Sequence, residues 1–283
     1  MNLFGIIEEI EKVDPEFKEK ISPRRDAIKN MTSFGSKVAI AALPFAIGSI
    51  FKKAYGVAST SDIVGVLNFA LTLEHLEAAF YNQGMGTSGL VTDASYISPI
   101  KDDENNHVTF LTGVITSLGA TPVAANANGY DFTAGGTFPT VFSDYGTFLA
   151  VAETLEDTGV RAYKGQAGTL IGNQTVLTAA LSIHAVEARH ASAIRYLRST
   201  KGVAIKPWIV STATNSNDTG ISAVDANYGG STPENSVSVG GVDVTTLPSI
   251  QSSSSTSIAV ASAAFDEPLT TNEVLALVKP FIK

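Results

Sequence analysis

Four long stretches of this chain repeat their apolar residues every three or four positions, the spacing of helices that bury one face. In the last of them Val176, Ala180, Ile183, Glu187, His190, Ile194 and Leu197 step by 4, 3, 4, 3, 4, 3. Glu187 and His190 therefore occupy the seam that faces the other helices, where an unpaired charge is costly. The second stretch has the seam Ile97, Glu104, His107, Leu111, Val114 and Leu118. The first reads Leu67, Ala70, Glu74, Glu77, Tyr81 and the third Leu149, Ala152, Glu156, Gly159, Tyr163. Cap and stop residues place the boundaries. The first helix runs from Ser61 to about Asn82. The second opens on Ser98-Pro99 and stops at Gly119. The third runs from Asp144 to Gly165–Gly168, and the fourth from the Gly172-Asn173 turn to Gly202.

These polar seam residues come as a repeat. Glu74 and Glu156 are 82 residues apart, and Glu104/His107 and Glu187/His190 are 83 apart. The pattern predicts a helical hairpin used twice, each copy giving one glutamate and then a Glu-x-x-His pair. Residues three apart on a helix share a face, so both side chains of such a pair can reach one ion. Two glutamates plus two Glu-x-x-His pairs on four helices is the ligand set of a carboxylate-bridged di-iron or di-manganese centre. On this reading Glu74 and His107 serve one metal, Glu156 and His190 the other, and Glu104 and Glu187 bridge. The Gly-, Pro-, Asn- and Thr-rich segment 120–143 supplies the one long crossover such a bundle needs.

Four further residues stand near this set. Glu77 breaks the symmetry, because its counterpart is Gly159; it reads as an additional ligand or a second-layer acceptor. Gly159 leaves a side-chain-sized gap, expected to admit a small oxidant beside the metal held by Glu156 and His190. Glu153 reads as a surface or outer-layer carboxylate. Tyr81 and Tyr163 read as core residues whose hydroxyls bond the ligands or act in redox.

At Leu73-Glu74-His75-Leu76-Glu77-Ala78-Ala79-Phe80-Tyr81, Thr154-Leu155-Glu156 through Tyr163, and Val186-Glu187-Ala188-Arg189-His190 the chain resembles the ferritin-like superfamily. More narrowly, it resembles the exported ferritin-like proteins related to plant desiccation-related proteins, whose ending is similar to Ala264-Phe265-Asp266-Glu267-Pro268-Leu269-Thr270. The resemblance implies a metal-binding four-helix bundle and no particular substrate.

Composition narrows the partners. The net charge is −8 and no basic cluster lies beyond the N-terminal region, which argues against nucleic acid. The absence of cysteine excludes disulfides, thiolate ligands and iron–sulfur clusters. Arg24-Arg25 ahead of the apolar run Val38–Phe51 looks like a twin-arginine export signal, so residues 1–58 read as a leader and the protein as periplasmic or of the cell envelope. An uncleaved leader would tie it to the membrane. Residues 59–202 form the bundle. Residues 203–283 form a Ser/Thr/Gly-rich, partly β extension, with strands near Ser236–Val239 and Val242–Val244. A short helix follows the capping box of Thr270 and Glu273. The function expected is reaction of two iron or manganese ions with dioxygen or peroxide, ferroxidase-like or peroxide-scavenging, in stress protection. The competing expectation is a non-catalytic envelope scaffold that self-associates or meets partners through residues 203–261.

Overall fold

The computed structural model describes residues 59–251 and 256–283, which belong to one compact unit. The leader expected over residues 1–58 lies outside the described residues. Four long helices dominate: α1 (Thr60–Gly86), α2 (Ala94–Ser117), α3 (Tyr145–Leu170) and α4 (Gln174–Thr200). Ser59 rather than Ser61 caps α1, through a capping box in which its Oγ accepts from the Asp62 amide and its own amide donates to the Asp62 carboxylate. Asp144 and Asn173 cap α3 and α4 through their side chains, and Gly202 (φ +91°) supplies the left-handed turn beyond α4.

The start of α2 differs from the expectation at Ser98-Pro99. The helix begins a turn earlier, after Asp93, and carries Pro99 inside it. Ile97 and Ile100, flanking the proline, are both buried in the core. That burial holds the helix together where Pro99 can make no bond back to Ser95.

α1 pairs with α2 and α3 with α4 to form two hairpins, α1 packs along α3, and α2 meets α4 only sparsely. The segment between α2 and α3 is the long crossover. α1 is long and apolar enough to cross a membrane, yet it presents Glu74 and Glu77 to the interior and packs on two helices. Two apolar clusters lie on either side of those glutamates. One contains Phe80, Phe148, Leu149, Ile97 and Ile194, with the Phe80 and Phe148 rings stacked 4.7 Å apart. The other contains Leu67, Leu71, Leu111, Ile115, Val176 and Ile183. The polar seam runs between them.

Every residue of α3 from Phe148 to Tyr163 is buried, because its outer face is also covered. The residues after α4 do this. They include α5 (Asp225–Tyr228), a hairpin of β1 (Ser238–Val239) and β2 (Val242–Asp243) with Val239 opposite Val242, then α6 (Pro248–Gln251), α7 (Ser257–Ala264) and α8 (Thr271–Val278). The two expected strands are thus present but only two residues long each, and Thr270 and Glu273 form the expected capping box on α8. The extension packs a small cluster of its own around Val244, Ile250 and Ala261.

Its return path depends on a glycine. The Leu269 amide donates to the Arg161 carbonyl at 3.1 Å, and a Cβ placed on Gly165 would lie 1.9 Å from the Leu269 carbonyl oxygen. Gly165→Ala is therefore expected to push residues 266–270 off α3 and to cost about 1–3 kcal/mol, the range for overpacking. A urea unfolding midpoint equal to that of the unaltered protein would contradict this approach of Leu269 to α3.

Candidate metal centre

The seam residues converge midway along the bundle. Glu74 and Glu77 come from α1, Glu104 and His107 from α2, Glu156 from α3, Glu187 and His190 from α4. Glu74, Glu104, Glu156 and Glu187 are fully buried, and the two histidines nearly so. His107 Nδ1 lies 3.1 Å from Glu74 Oε2, 3.3 Å from Glu104 Oε2 and 3.3 Å from Glu187 Oε1. His190 Nδ1 lies 2.8 Å from Glu104 Oε1 and 3.4 Å from Glu156 Oε2. Two groups result, each with ligand atoms within 4.8 Å of one another: Glu74, Glu104, His107, Glu187, and Glu104, Glu156, Glu187, His190. Glu104 and Glu187 are common to both.

The tyrosines are crossed. Tyr81 on α1 donates from its hydroxyl to Glu156 Oε1 on α3 at 2.5 Å, and Tyr163 on α3 donates to Glu74 Oε1 on α1. Each hydroxyl therefore fixes the carboxylate of the opposite hairpin and leaves that carboxylate's other oxygen facing the centre.

The electrostatics of this cluster are unbalanced. Glu104 Oε1, Glu156 Oε2, both oxygens of Glu187 and His190 Nδ1 make no hydrogen bond of good geometry among the described residues, close as the His190 Nδ1 is to Glu104 Oε1. Burial, with the charge of Glu74 next, pushes the Glu104 carboxyl up to about 8. Burial, reinforced by Glu104, raises Glu187 well above the usual carboxylate range. Burial alone would lower the histidines, but the surrounding carboxylates outweigh it. Glu156 first, with Glu104, raises His190 to about 12, and Glu104, Glu187 and Glu74 raise His107. The buried carboxylates Glu74, Glu77, Glu104, Glu156 and Glu187 outnumber the two imidazoles and can all be ionised at neutral pH only if cations join them. Carboxylate oxygens and two imidazole Nδ1 atoms fit two ions of the iron or manganese kind.

Glu77 belongs to neither ligand group. A Cβ built on Gly159 would sit 2.8 Å from Glu187 Oε2 and 3.3 Å from Glu77 Oε1, so the gap expected at Gly159 is filled by these two carboxylates. It is no access point for an oxidant. The space that α3 gives up at Gly159 is taken by the longer side chain α1 has at Glu77, an exchange across the facing pair of helices. Burial, and then the charge of Glu187, raises the Glu77 carboxyl well above its ordinary range.

Of the two readings of Glu153, surface or outer-layer carboxylate, its complete burial excludes the first. It pairs with Arg198 and, at 3.4 Å, with Arg195 Nη2. Arg195 also grips Asp157 at 2.7 Å and Asp218 at 2.9 Å, and Tyr228 of α5 donates to Asp157 at 2.6 Å. This network ties α3 and α4 to the extension. Sequence reasoning also passed over Asp103, whose Oδ2 lies 3.2 Å from His190 Nε2. It orients the ring so that Nδ1 faces the centre. The only signal was its position beside Glu104, which points to α2 and not to a partner on α4. His75 has its Nε2 3.2 Å from the Val123 carbonyl oxygen.

Residues 62–200 match the family model described as the ferritin-like domain. This segment is similar to a ferritin-like domain. The match begins in the first turn of α1, ends with α4 and includes all six seam ligands expected above. The ferritin-like segment carries the whole polar cluster, while the extension that covers α3 lies beyond it. A comparison with curated proteins returns no match.

Proposed function

We propose that this protein is a redox protein with a carboxylate-bridged pair of iron or manganese ions, held by Glu74, Glu104, His107, Glu156, Glu187 and His190. The observation that carries the reading is the pair of buried ligand groups sharing Glu104 and Glu187. Such ions supply one-electron couples for the reduction of dioxygen or peroxide. The chain's own part is to hold the carboxylates at fixed separation, through Tyr81 on Glu156 and Tyr163 on Glu74. It also keeps the centre dry between two apolar clusters. The reading extends to a stress-protective protein exported to the periplasm or envelope, related to desiccation-related proteins; Arg24-Arg25 and the motifs around Glu74, Glu156 and Glu187 support it.

The expected result of metal analysis, on protein purified without chelator or reconstituted with ferrous or manganous ion, is about two ions per chain. Protein that stays metal-free under both conditions defeats the proposal. Two ions with no turnover of peroxide and no dioxygen-dependent oxidation above free metal would leave the bundle as a scaffold.

A further inference from the structure

A narrow apolar cleft enters the bundle along the loose side where α2 and α4 meet sparsely. All four long helices contribute to it: Phe69 and Leu73 from α1, Val114 from α2, Tyr163 from α3 and Ala179 from α4 are among its walls. Its only polar side chains are Gln166 and Tyr163. The Tyr163 hydroxyl is already engaged by Glu74, one of the proposed ligands. One edge of the cleft is therefore a ring whose far end touches the metal centre. At the outer edge stands Phe110, which is exposed. The open volume is about 20 Å³, close to the least that holds one water-sized molecule.

We propose that this cleft is the passage by which dioxygen reaches the metal pair. The inference rests on the metal reading above and adds the class of oxidant and its route. A cleft walled almost entirely by carbon, with the Tyr163 hydroxyl already bonded to Glu74, leaves water or peroxide short of hydrogen-bond partners. Ferrous or manganous ions would lose their hydration there without replacement. An uncharged apolar diatomic gives up no hydrogen bond on entry. The alternative access at Gly159 is closed by Glu77 and Glu187. On the other side of the centre His190 meets the half-exposed Asp103, so the polar face of the site lies away from the cleft.

Crystals of the full protein pressurised with xenon provide the test, because xenon marks dry apolar cavities whether or not metal is bound. Xenon is expected in the cleft against the Tyr163 ring. Ala179→Phe, at the half-buried mouth, and separately Val114→Phe, should each abolish that peak. Each should slow oxidation of the metal-loaded protein by dioxygen several-fold, with metal content and the rate with hydrogen peroxide unchanged. The proposal is overturned by an empty cleft under xenon, by a dioxygen rate indifferent to both substitutions, or by equal slowing with dioxygen and peroxide. Failure of the metal reading shows itself separately, as protein without metal in the unaltered chain.

Discussion

Glu187→Ala is expected to abolish binding at both metal positions, whereas His190→Ala should leave one of them filled. Glu187 belongs to both ligand groups and His190 to one, so the two substitutions differ in stoichiometry and not merely in degree. Metal analysis after reconstitution should give close to none and close to one ion. The same difference should appear in stability. Metal at a thousand times its dissociation constant stabilises a folded protein by about 4 kcal/mol, a gain the Glu187→Ala protein should lack. Equal metal loss in the two variants would show that the sites are not joined through Glu187. Proton linkage gives an independent check. Glu104, Glu187 and both histidines have folded values raised above their ordinary ones. Their contribution to the metal-free fold is complete below the ordinary carboxylate value and is lost as the pH rises through about 8 for Glu104 and about 12 for His190. The metal-free bundle should therefore weaken as pH rises above neutrality, and metal uptake should release protons and tighten over the same range.

The second large effect lies outside the centre. Arg161→Met should cost about 3–5 kcal/mol, the penalty for breaking a buried pair by removing one partner. Arg161 is fully buried on α3. Its Nε donates to the Glu267 carbonyl at 2.9 Å and lies 2.7 Å from Glu234 Oε1. Its other nitrogens donate to the carbonyls of Asn227, Gly229 and Thr232. One guanidinium thus gathers two separate stretches of the extension, residues 227–234 and Glu267, with its planar fork of donors supplying the geometry. Urea unfolding should report the loss, and limited proteolysis should cut within residues 229–247 far sooner than in the unaltered protein. Pairing Arg161→Met with Glu234→Leu should recover part of the stability, since no buried carboxylate is then left without its cation. A midpoint that does not move would show that the extension is held by its apolar contacts alone.

The bundle was legible because its information is local. Seam spacing, caps at Asp144 and Asn173, and the twice-used Glu-x-x-His each show within a turn or two of helix. The seam positions of Glu74, Glu104, His107, Glu156, Glu187 and His190 were readable for the same reason, and the structure brings the six together. What escaped was set between elements. Asp103 looked like one more acidic residue of α2, and its contact with His190 exists only once α2 and α4 are side by side. Glu153 lies one turn from a ligand, but its partners Arg195 and Arg198 are forty residues along the chain and face away from the centre. Gly159 misled because an alignment of helices shows a missing side chain but not which neighbour fills the space. Pro99 misled because a good first position for a helix is not always the first position used.

The crossed tyrosines bear on how such a chain could arise. Tyr81 holds Glu156 and Tyr163 holds Glu74, and each ligand group draws on both hairpins. Neither half of the molecule can complete a centre from its own residues. Two copies of one half, related by a twofold axis, would nevertheless offer two glutamates, two Glu-x-x-His pairs and two crossed tyrosines. A homodimer of half-length chains is therefore a chemically complete ancestor, and gene fusion across the long crossover would have made it one chain. Only after that joining could one half keep Glu77 while the other carries Gly159, since identical subunits must place the same residue on both sides.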